Sequence, residues 1–349
     1  MDATEKSELN QETTSIGRRS QRRDIFLFSH PRTVSNLLCR LLSNQPGWSQ
    51  SDYHFLKAFS FMRNSLHGTT PFPDMTPEQR EAVDGLLQKS FDRLQQARDT
   101  AVAKDENVFI KNHVIHIWEP SGLSQSIWGG ESAPPFPALP SSHHNGDGPA
   151  SAQRTNPTVF TDEFLKSWLP IFLIRHPALV FDSWYRAERH SDHTNVFDQA
   201  WRIYTSFSYT RQLYDWFVAN ASTPAGPDEQ QSVKVECSRP IVIDADDIIE
   251  QRSIEKLCEL CDMDPSIIPH EWEKSTPPAE EMKNGLAEKL MKDFWSSTSI
   301  DKSKSSAGIN MEEKYQKWKD DYGIEAAGKI YERVQEAMSD YDYLKSKKI

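Results

Sequence analysis

The spacing of hydrophobic and polar positions changes repeatedly along the 349-residue chain, and each change marks an element. Asp24-Ile-Phe-Leu-Phe-Ser29 is a short, unbroken apolar run of the kind that fills a strand buried on both faces. Thr33–Ser43 switches to helical spacing, with Val34, Leu37, Leu38, Leu41 and Leu42 on one face. Asp52–Leu66 predicts a second helix, rich in aromatics (Tyr53, Phe55, Phe59, Phe61). Thr76 and Pro77 open a third helix to about Ala103, with proline at a favourable first-turn position. Asn107–Lys111 and Ile171–Ile174 are strand-like, Ala178–Arg189 predicts a helix, and Asn195–Ala219 one long amphipathic helix. Pro240–Ile243 is a further strand, followed by helical spacing over Gln251–Cys261. Helices around Ala279–Trp295, Met311–Tyr322 and Ile324–Met338 fill the last third. Strands alternating with helices predict an α/β protein, a parallel sheet flanked by helices in three layers.

The polar stretches set the domain organisation. Residues 1–22 read as a disordered tail, and 23–345 as a single domain. Within it, 119–157 is crowded with Pro, Ser and Gly and reads as a long, mostly irregular surface insertion. A second polar linker covers 221–232, and Ser296–Asn310 is a Ser/Lys-rich loop. These segments account for an apolar content of 37% and a mean hydropathy of −0.67, low for a compact domain.

A net charge of −11 argues against nucleic acid or an anionic membrane as partner. No apolar run approaches the roughly 20 residues of a membrane helix, and the first 24 residues lack a signal-peptide core, so a cytoplasmic protein is expected. Cys39, Cys237, Cys258 and Cys261 do not form a disulfide framework in a chain of this size. Cys258 and Cys261 make one CxxC without further zinc ligands at matching spacing, and His143-His144 stand in a polar loop without partners, so no metal is expected.

Three segments carry the candidate chemistry. In Ser29-His-Pro-Arg-Thr-Val-Ser-Asn36 a strand runs through a basic, hydroxyl-bearing turn into a helix. Arg32, Thr33, Ser35, Asn36 and the helix N-terminal amides there could cradle an anion. The bland alternative is a helix N-cap after a proline turn. No GxxxxGK[ST] occurs, which disfavours a P-loop kinase or ATPase. In Pro170-Ile-Phe-Leu-Ile-Arg-His-Pro177, Arg175 ends a strand and Ser183 follows eight residues later, so that arginine and hydroxyl could clamp one phosphate. In Val108-Phe-Ile-Lys-Asn-His113 a strand ends in a lysine and a histidine. His113 could act as general base and Lys111 could stabilise developing charge, with His116 a competitor for the base.

Taken in order, these segments resemble the PAPS-dependent sulfotransferases (PAPS is 3′-phosphoadenosine 5′-phosphosulfate), and most of all fungal members. The family's phosphosulfate loop, Pro-Lys/Arg-Ser-Gly-Thr/Ser-Thr, is matched by Pro31-Arg-Thr-Val-Ser-Asn36. Its 3′-phosphate site, an Arg followed eight residues later by a Ser, is matched by Arg175 and Ser183, and its Lys-x-His by Lys111-Asn-His113. A late Trp-Lys…Tyr-Gly segment is matched in Lys317–Gly323. The resemblance covers roughly 24–118 and 158–325. It implies a P-loop NTPase-like sulfotransferase fold that binds PAPS and releases PAP. Arg32, Thr33, Val34, Ser35 and Asn36 would hold the 5′-phosphosulfate, and Arg175 and Ser183 the 3′-phosphate. His113 would deprotonate the acceptor, with Lys111 or Arg32 steadying the leaving oxygen.

A sulfuryl group carries less negative charge than a phosphoryl group, so this chemistry calls for no metal. Trp118, Trp168, Trp184 and Trp201 fall near the implied site, and Tyr53–Phe61 would lie over its opening. The acceptor implied is therefore a small, hydrophobic or aromatic metabolite bearing a hydroxyl or amine. A homodimer is left open. The sequence departs from the family pattern in three places. Val34 replaces the loop glycine, where a valine is not expected to take positive φ. Asn36 replaces a hydroxyl residue, and the late Gly-x-x-Gly-x-x-Lys loop is absent, with Lys302 and Lys304 as substitutes. Two alternatives follow: an enzyme of this fold turned to other acid–base chemistry, and a non-catalytic nucleotide-binding or interaction module.

Overall fold

The computed structural model describes residues 23–65, 75–130, 133–140, 153–189, 195–221, 239–277 and 285–349. The predicted tail, most of the linker after Ala221, Cys237 and the His143-His144 pair lie outside the described residues.

Five strands form one parallel sheet: β1 (Ile25–Ser29), β2 (Trp48–Asp52), β3 (Asn107–His113), β4 (Leu169–Ile174) and β5 (Ile241–Asp244). Their spatial order is β2-β3-β1-β4-β5. The chain leaves β1 for β2 and β3 on one side and crosses to β4 and β5 on the other, so the order reverses beside β1. In such sheets ligands bind at this switch point, outside the carboxyl ends of the strands.

Strand periodicity divides the core in two. Phe26, Phe28, Val108, Ile110, Phe172, Ile174 and Val242 face one helical layer, while Ile25, Leu27, Phe109, Ile171, Leu173, Ile241 and Ile243 face the other. Both faces being covered explains why the strands are unbroken apolar runs. The larger layer is built from α2 (Leu56–Ser65), α3 (Pro77–Ala103), α4 (Val114–Ile117), α5 (Pro120–Trp128), α6 (Asp162–Lys166), α7 (Pro177–Glu188), α8 (Ser208–Asn220), α12 (Met311–Tyr322) and α13 (Ile324–Lys345). The smaller contains α1 (Ser35–Leu41), α9 (Ala245–Ile249) and α10 (Ile254–Leu260). Helix α11 (Gly285–Ser296) lies over the carboxyl end of β1, reached by Arg32 and Asn36. This is the expected three-layer architecture.

Three segments differ from expectation. The helix predicted from Asp52 begins only at Leu56, as α2, and Asp52 ends the edge strand Trp48–Asp52. The predicted helix over 195–219 is two elements, a 3-10 helix (Gln199–Tyr204) and α8, separated at Thr205–Phe207. Thr205 has left helical geometry (φ −128°, ψ 39°). Its hydroxyl bonds back to the Trp201 carbonyl and Ser206 bonds to the Ser208 amide, the local competition that ends helices. The predicted insertion is not irregular throughout. It opens with α5, whose Pro120 occupies the first helical position behind a Glu119 cap. The two Glu119 carboxylate oxygens accept from the Gly122 and Phe136 amides and tie the stretch together.

Candidate anion and base site at the strand ends

The turn after β1 has an unusual backbone. Arg32 (φ 69°) and Val34 (φ 58°) both lie in the left-handed region, and Thr33 between them does not. Such alternation turns main-chain N–H groups toward one side, as in anion-binding concavities. Val34 is the N-cap of α1 at φ 58°, ψ 25°, so the valine adopts the conformation for which the family pattern uses glycine. The expectation that a valine would not take positive φ is thus corrected. A β-branched residue there costs roughly 1–2 kcal/mol, which the surrounding contacts must over-determine.

Those contacts are extensive. The Thr33 hydroxyl donates to the His30 carbonyl at 2.7 Å. The Arg32 guanidinium donates to Ser183 Oγ at 2.9 Å and to the Leu290 carbonyl on α11 at 2.8 Å. Arg175, at the end of β4, donates to the Arg32 carbonyl at 3.0 Å and to the Lys304 carbonyl at 2.8 Å. The two predicted turns therefore meet. Arg175 and Ser183 do not bond to each other; Arg32 lies between them and bonds to both. Ser35 is buried at the start of α1. Arg175 is 7% exposed, its Nε is a buried donor with no partner, and burial together with Arg32 lowers its pKa to about 10, so it stays charged at neutral pH. Lys304 reaches Arg175 with its main chain, while its ammonium pairs with Asp293 and Asp301 at 3.6 and 3.8 Å.

The second cluster surrounds the end of β3. Lys111 is fully buried and its ammonium bonds to Asn36 Oδ1, pairs with Asp52 at 3.1 Å and sits 4.0 Å over the Tyr53 ring. Burial pulls its pKa down, but Cys39, Tyr53 and Asp52 around it outweigh burial and raise it. Asn36 joins this cluster through its amide oxygen, which also accepts from the Tyr53 hydroxyl at 3.2 Å, while its NH2 lies 3.0 Å from Met291 Sδ.

His113 lies opposite Ser29 in the β1–β3 register, and its Nδ1 is 2.8 Å from Ser29 Oγ. Tyr53 lies 5.1 Å from the His113 ring, centre to centre, and His116 5.0 Å. Burial, followed by repulsion from His116, Lys111 and His30, holds the His113 pKa well below the usual histidine value, so the imidazole is neutral at pH 7. His116, the competitor, packs its ring 4.7 Å from that of Phe59 and has an unpartnered Nδ1.

Sequence reasoning missed three residues of this site. Ser29 had no signal beyond its place at a strand end, Asp52 was read as a helix start, and Tyr53 only as part of a covering aromatic segment. Tyr53 adopts φ 52°, unusual for a tyrosine, and its amide donates to the Lys111 carbonyl at 2.9 Å. Of the aromatics singled out, Trp118 and Trp168 are core residues packed on Tyr209 and on Phe26 and Phe164, and Trp201 is buried against Tyr185. Trp184 stacks on Tyr204 at 4.4 Å. The late Lys317–Gly323 segment fixes α7: the Tyr322 hydroxyl donates to buried Asp182 at 2.5 Å, beside Ser183. Cys258 and Cys261 are buried, reduced thiols, and no group of potential metal ligands occurs among the described residues. No helix among the described residues is long and apolar enough to cross a membrane.

No family model matches the chain. Among solved structures it is similar to the sulfotransferase domain from the curacin biosynthetic pathway (TM-score 0.42, 13% identity, 86% of this chain and 97% of that one). It is also similar to the sulfotransferase domain of the Synechococcus PCC 7002 olefin synthase (TM-score 0.37, 15% identity, 84% and 90%). Among curated proteins it is 34% identical over 338 residues to sulfotransferase ppzF of Metarhizium majus, spanning 93% of this chain and 96% of that protein. Sulfotransferase ppzF of Metarhizium rileyi is 33% identical over 336 residues, spanning 93% and 95%. At that identity over nearly the whole of both proteins, the chain belongs to the sulfotransferases, the family that its ordered strand-end motifs resemble.

Proposed function

We propose that this sulfotransferase uses PAPS as donor and transfers its sulfuryl group to a hydroxyl or amine of a small aromatic or hydrophobic acceptor, with His113 as general base. The observation that carries this reading is the meeting of Arg32, Arg175 and Ser183 at the sheet's switch point. Two arginines joined through the Arg32 carbonyl suit a ligand with two anionic ends, and the buried, unpartnered Arg175 Nε is a donor awaiting an acceptor.

PAPS supplies a sulfuryl group already activated by a phosphate leaving group. Arg32 and Arg175 now bond to a serine hydroxyl and to main-chain carbonyls, which are neutral acceptors. A phosphate adds opposite charge and a bidentate fit to the guanidinium fork, so both arginines exchange their present partners for phosphate oxygens. Arg175 and Ser183 hold the 3′-phosphate, and Arg32 with the Thr33–Asn36 turn holds the 5′ side. Lys111, kept charged by its surroundings, stabilises the leaving phosphate oxygen. His113, kept neutral, accepts the acceptor's proton as its heteroatom attacks sulfur in line. Positioning and electrostatics do most of the work, as in phosphoryl transfer.

Calorimetric titration of the purified protein with PAP tests the donor. Binding weakened about 10- to 100-fold in Arg175→Ala, and less in Ser183→Ala, is the expected result. No binding of PAP by the parent protein overturns the reading. Given binding, transfer from PAPS to a panel of phenols, alcohols and amines tests the reaction, and full turnover in His113→Ala removes the assigned base.

A further inference from the structure

We infer that Ser29 is a positioning residue. It holds the Nδ1–H tautomer of His113 and so leaves the Nε2 lone pair facing the acceptor. The inference rests on His113 being the base proposed above.

A neutral imidazole carries one proton, and only the nitrogen without it can act as a base. His113 is kept neutral by burial, so the location of that proton decides whether the ring is competent. Ser29 and His113 are paired residues at the last rungs of two central strands, with side chains on the same face of the sheet. Their 2.8 Å contact is buried at both ends, with Ser29 fully inaccessible and His113 8% exposed, so water does not compete for Nδ1. A serine hydroxyl can donate or accept, and the surrounding charges decide between the two.

The groups that face the ring are His30 at the end of β1, Lys111 on β3, His116 on α4 and the Tyr53 side chain before α2. Lys111 carries a full positive charge and opposes a second proton on the ring. The ring also bonds to the Ser29 main chain, and a carbonyl can only accept, so the nitrogen turned toward Ser29 carries the single proton. The arrangement therefore favours Nδ1–H donating to Ser29 Oγ, with Nε2 bare. In transfer, Nε2 takes the proton of the acceptor's O–H or N–H and the ring becomes an imidazolium. Its Nδ1–H remains bonded to Ser29 Oγ throughout, so the serine gains and loses nothing.

Long-range proton–nitrogen NMR of the histidine rings in the full-length protein reads the tautomer directly, without turnover. The expected spectrum gives His113 a protonated-type Nδ1 shift and a lone-pair-type Nε2 shift; the reverse pattern overturns the inference. In Ser29→Ala the ring loses this bias and its two nitrogen shifts move toward averaging. Turnover then falls roughly 5- to 30-fold with PAP affinity unchanged, the worth of one buried hydrogen bond. Ser29→Thr, which keeps the hydroxyl, restores both. A Ser29→Ala protein with parental ring shifts overturns the inference whatever its activity. Failure of PAP to bind, or full turnover in His113→Ala, strikes the donor or base reading instead.

Discussion

Replacing His116 by leucine will make the protein markedly less sensitive to acid. His116 is 5% exposed, with its ring against Phe59 and its Nδ1 without a partner, and burial lowers its pKa to about 3. The unfolded chain protonates this residue near 6.5. Between those values the unfolded state binds the extra proton and the folded state does not, so stability falls as pH falls. At about pH 7 this linkage is worth only a few tenths of a kcal/mol, and at about pH 5 about 2 kcal/mol. His30 and His54, each lowered by burial to about 4, add similar amounts, so the parent protein should lose several kcal/mol over this interval. His116→Leu removes about 2 kcal/mol of that loss. Deleting the unpartnered Nδ1 should leave the variant no less stable at neutral pH. Urea unfolding followed by tryptophan fluorescence at the two pH values gives both free energies. A variant that loses as much stability as the parent refutes the assignment of His116 as a buried neutral group.

The other predictions concern the loop, a buried ion pair between α7 and α2, and the long helix. Because Val34 sits at φ 58°, Val34→Gly should be more stable than Val34→Ala by about 1 kcal/mol in urea melts, against the usual order at helix ends; an alanine variant equal to or better than glycine contradicts the strain assigned there. Glu188, fully buried at the end of α7, is bonded through both carboxylate oxygens to Arg63 on α2. Glu188→Gln leaves that guanidinium short of its counter-charge and should cost about 3 kcal/mol by the same assay. Thr76 caps α3 in a box with Gln79, so Thr76→Ala should cost about 1 kcal/mol and leave PAP binding untouched in calorimetry.

What was legible in the sequence follows from the physics of each element. Strands β1, β3, β4 and β5 stand out because burial on both faces requires unbroken apolar runs, and α3 because its proline, cap and spacing agree. Strand β2 was not legible. Trp48-Ser-Gln-Ser-Asp52 pairs on one side only, and its polar residues bond locally, Gln50 to the Leu42 carbonyl and Ser49 to Glu106. Missing that strand concealed the placement of Asp52 and Tyr53 beside Lys111. The break at Thr205 was hidden because both flanking elements carry apolar residues on the same face. Proline at 120 was counted as loop composition, although at a first helical position it favours a helix. The three strand-end segments were legible as strand ends and turns. Their meeting was not, because spacing along a chain does not reveal that Arg32 reaches across to Ser183.

The two departures in the first turn have different physical meanings. At Val34 the chain takes a left-handed backbone without the residue that makes it cheap, so the strain must be met by contacts elsewhere. Those contacts are the bonds of Thr33 to His30, of Arg175 to the Arg32 carbonyl, and of Arg32 to Ser183 and α11. At Asn36 the change is one of connection. An amide in place of a hydroxyl joins Lys111, Tyr53 and Met291 to the loop at once. The loop is thus shaped by its neighbours on β3, β4, α7 and α11 rather than by a flexible glycine. It follows that mutations in those neighbours, above all at Arg175 and Asn36, should perturb the anion affinity proposed for the loop as strongly as mutations within the turn itself.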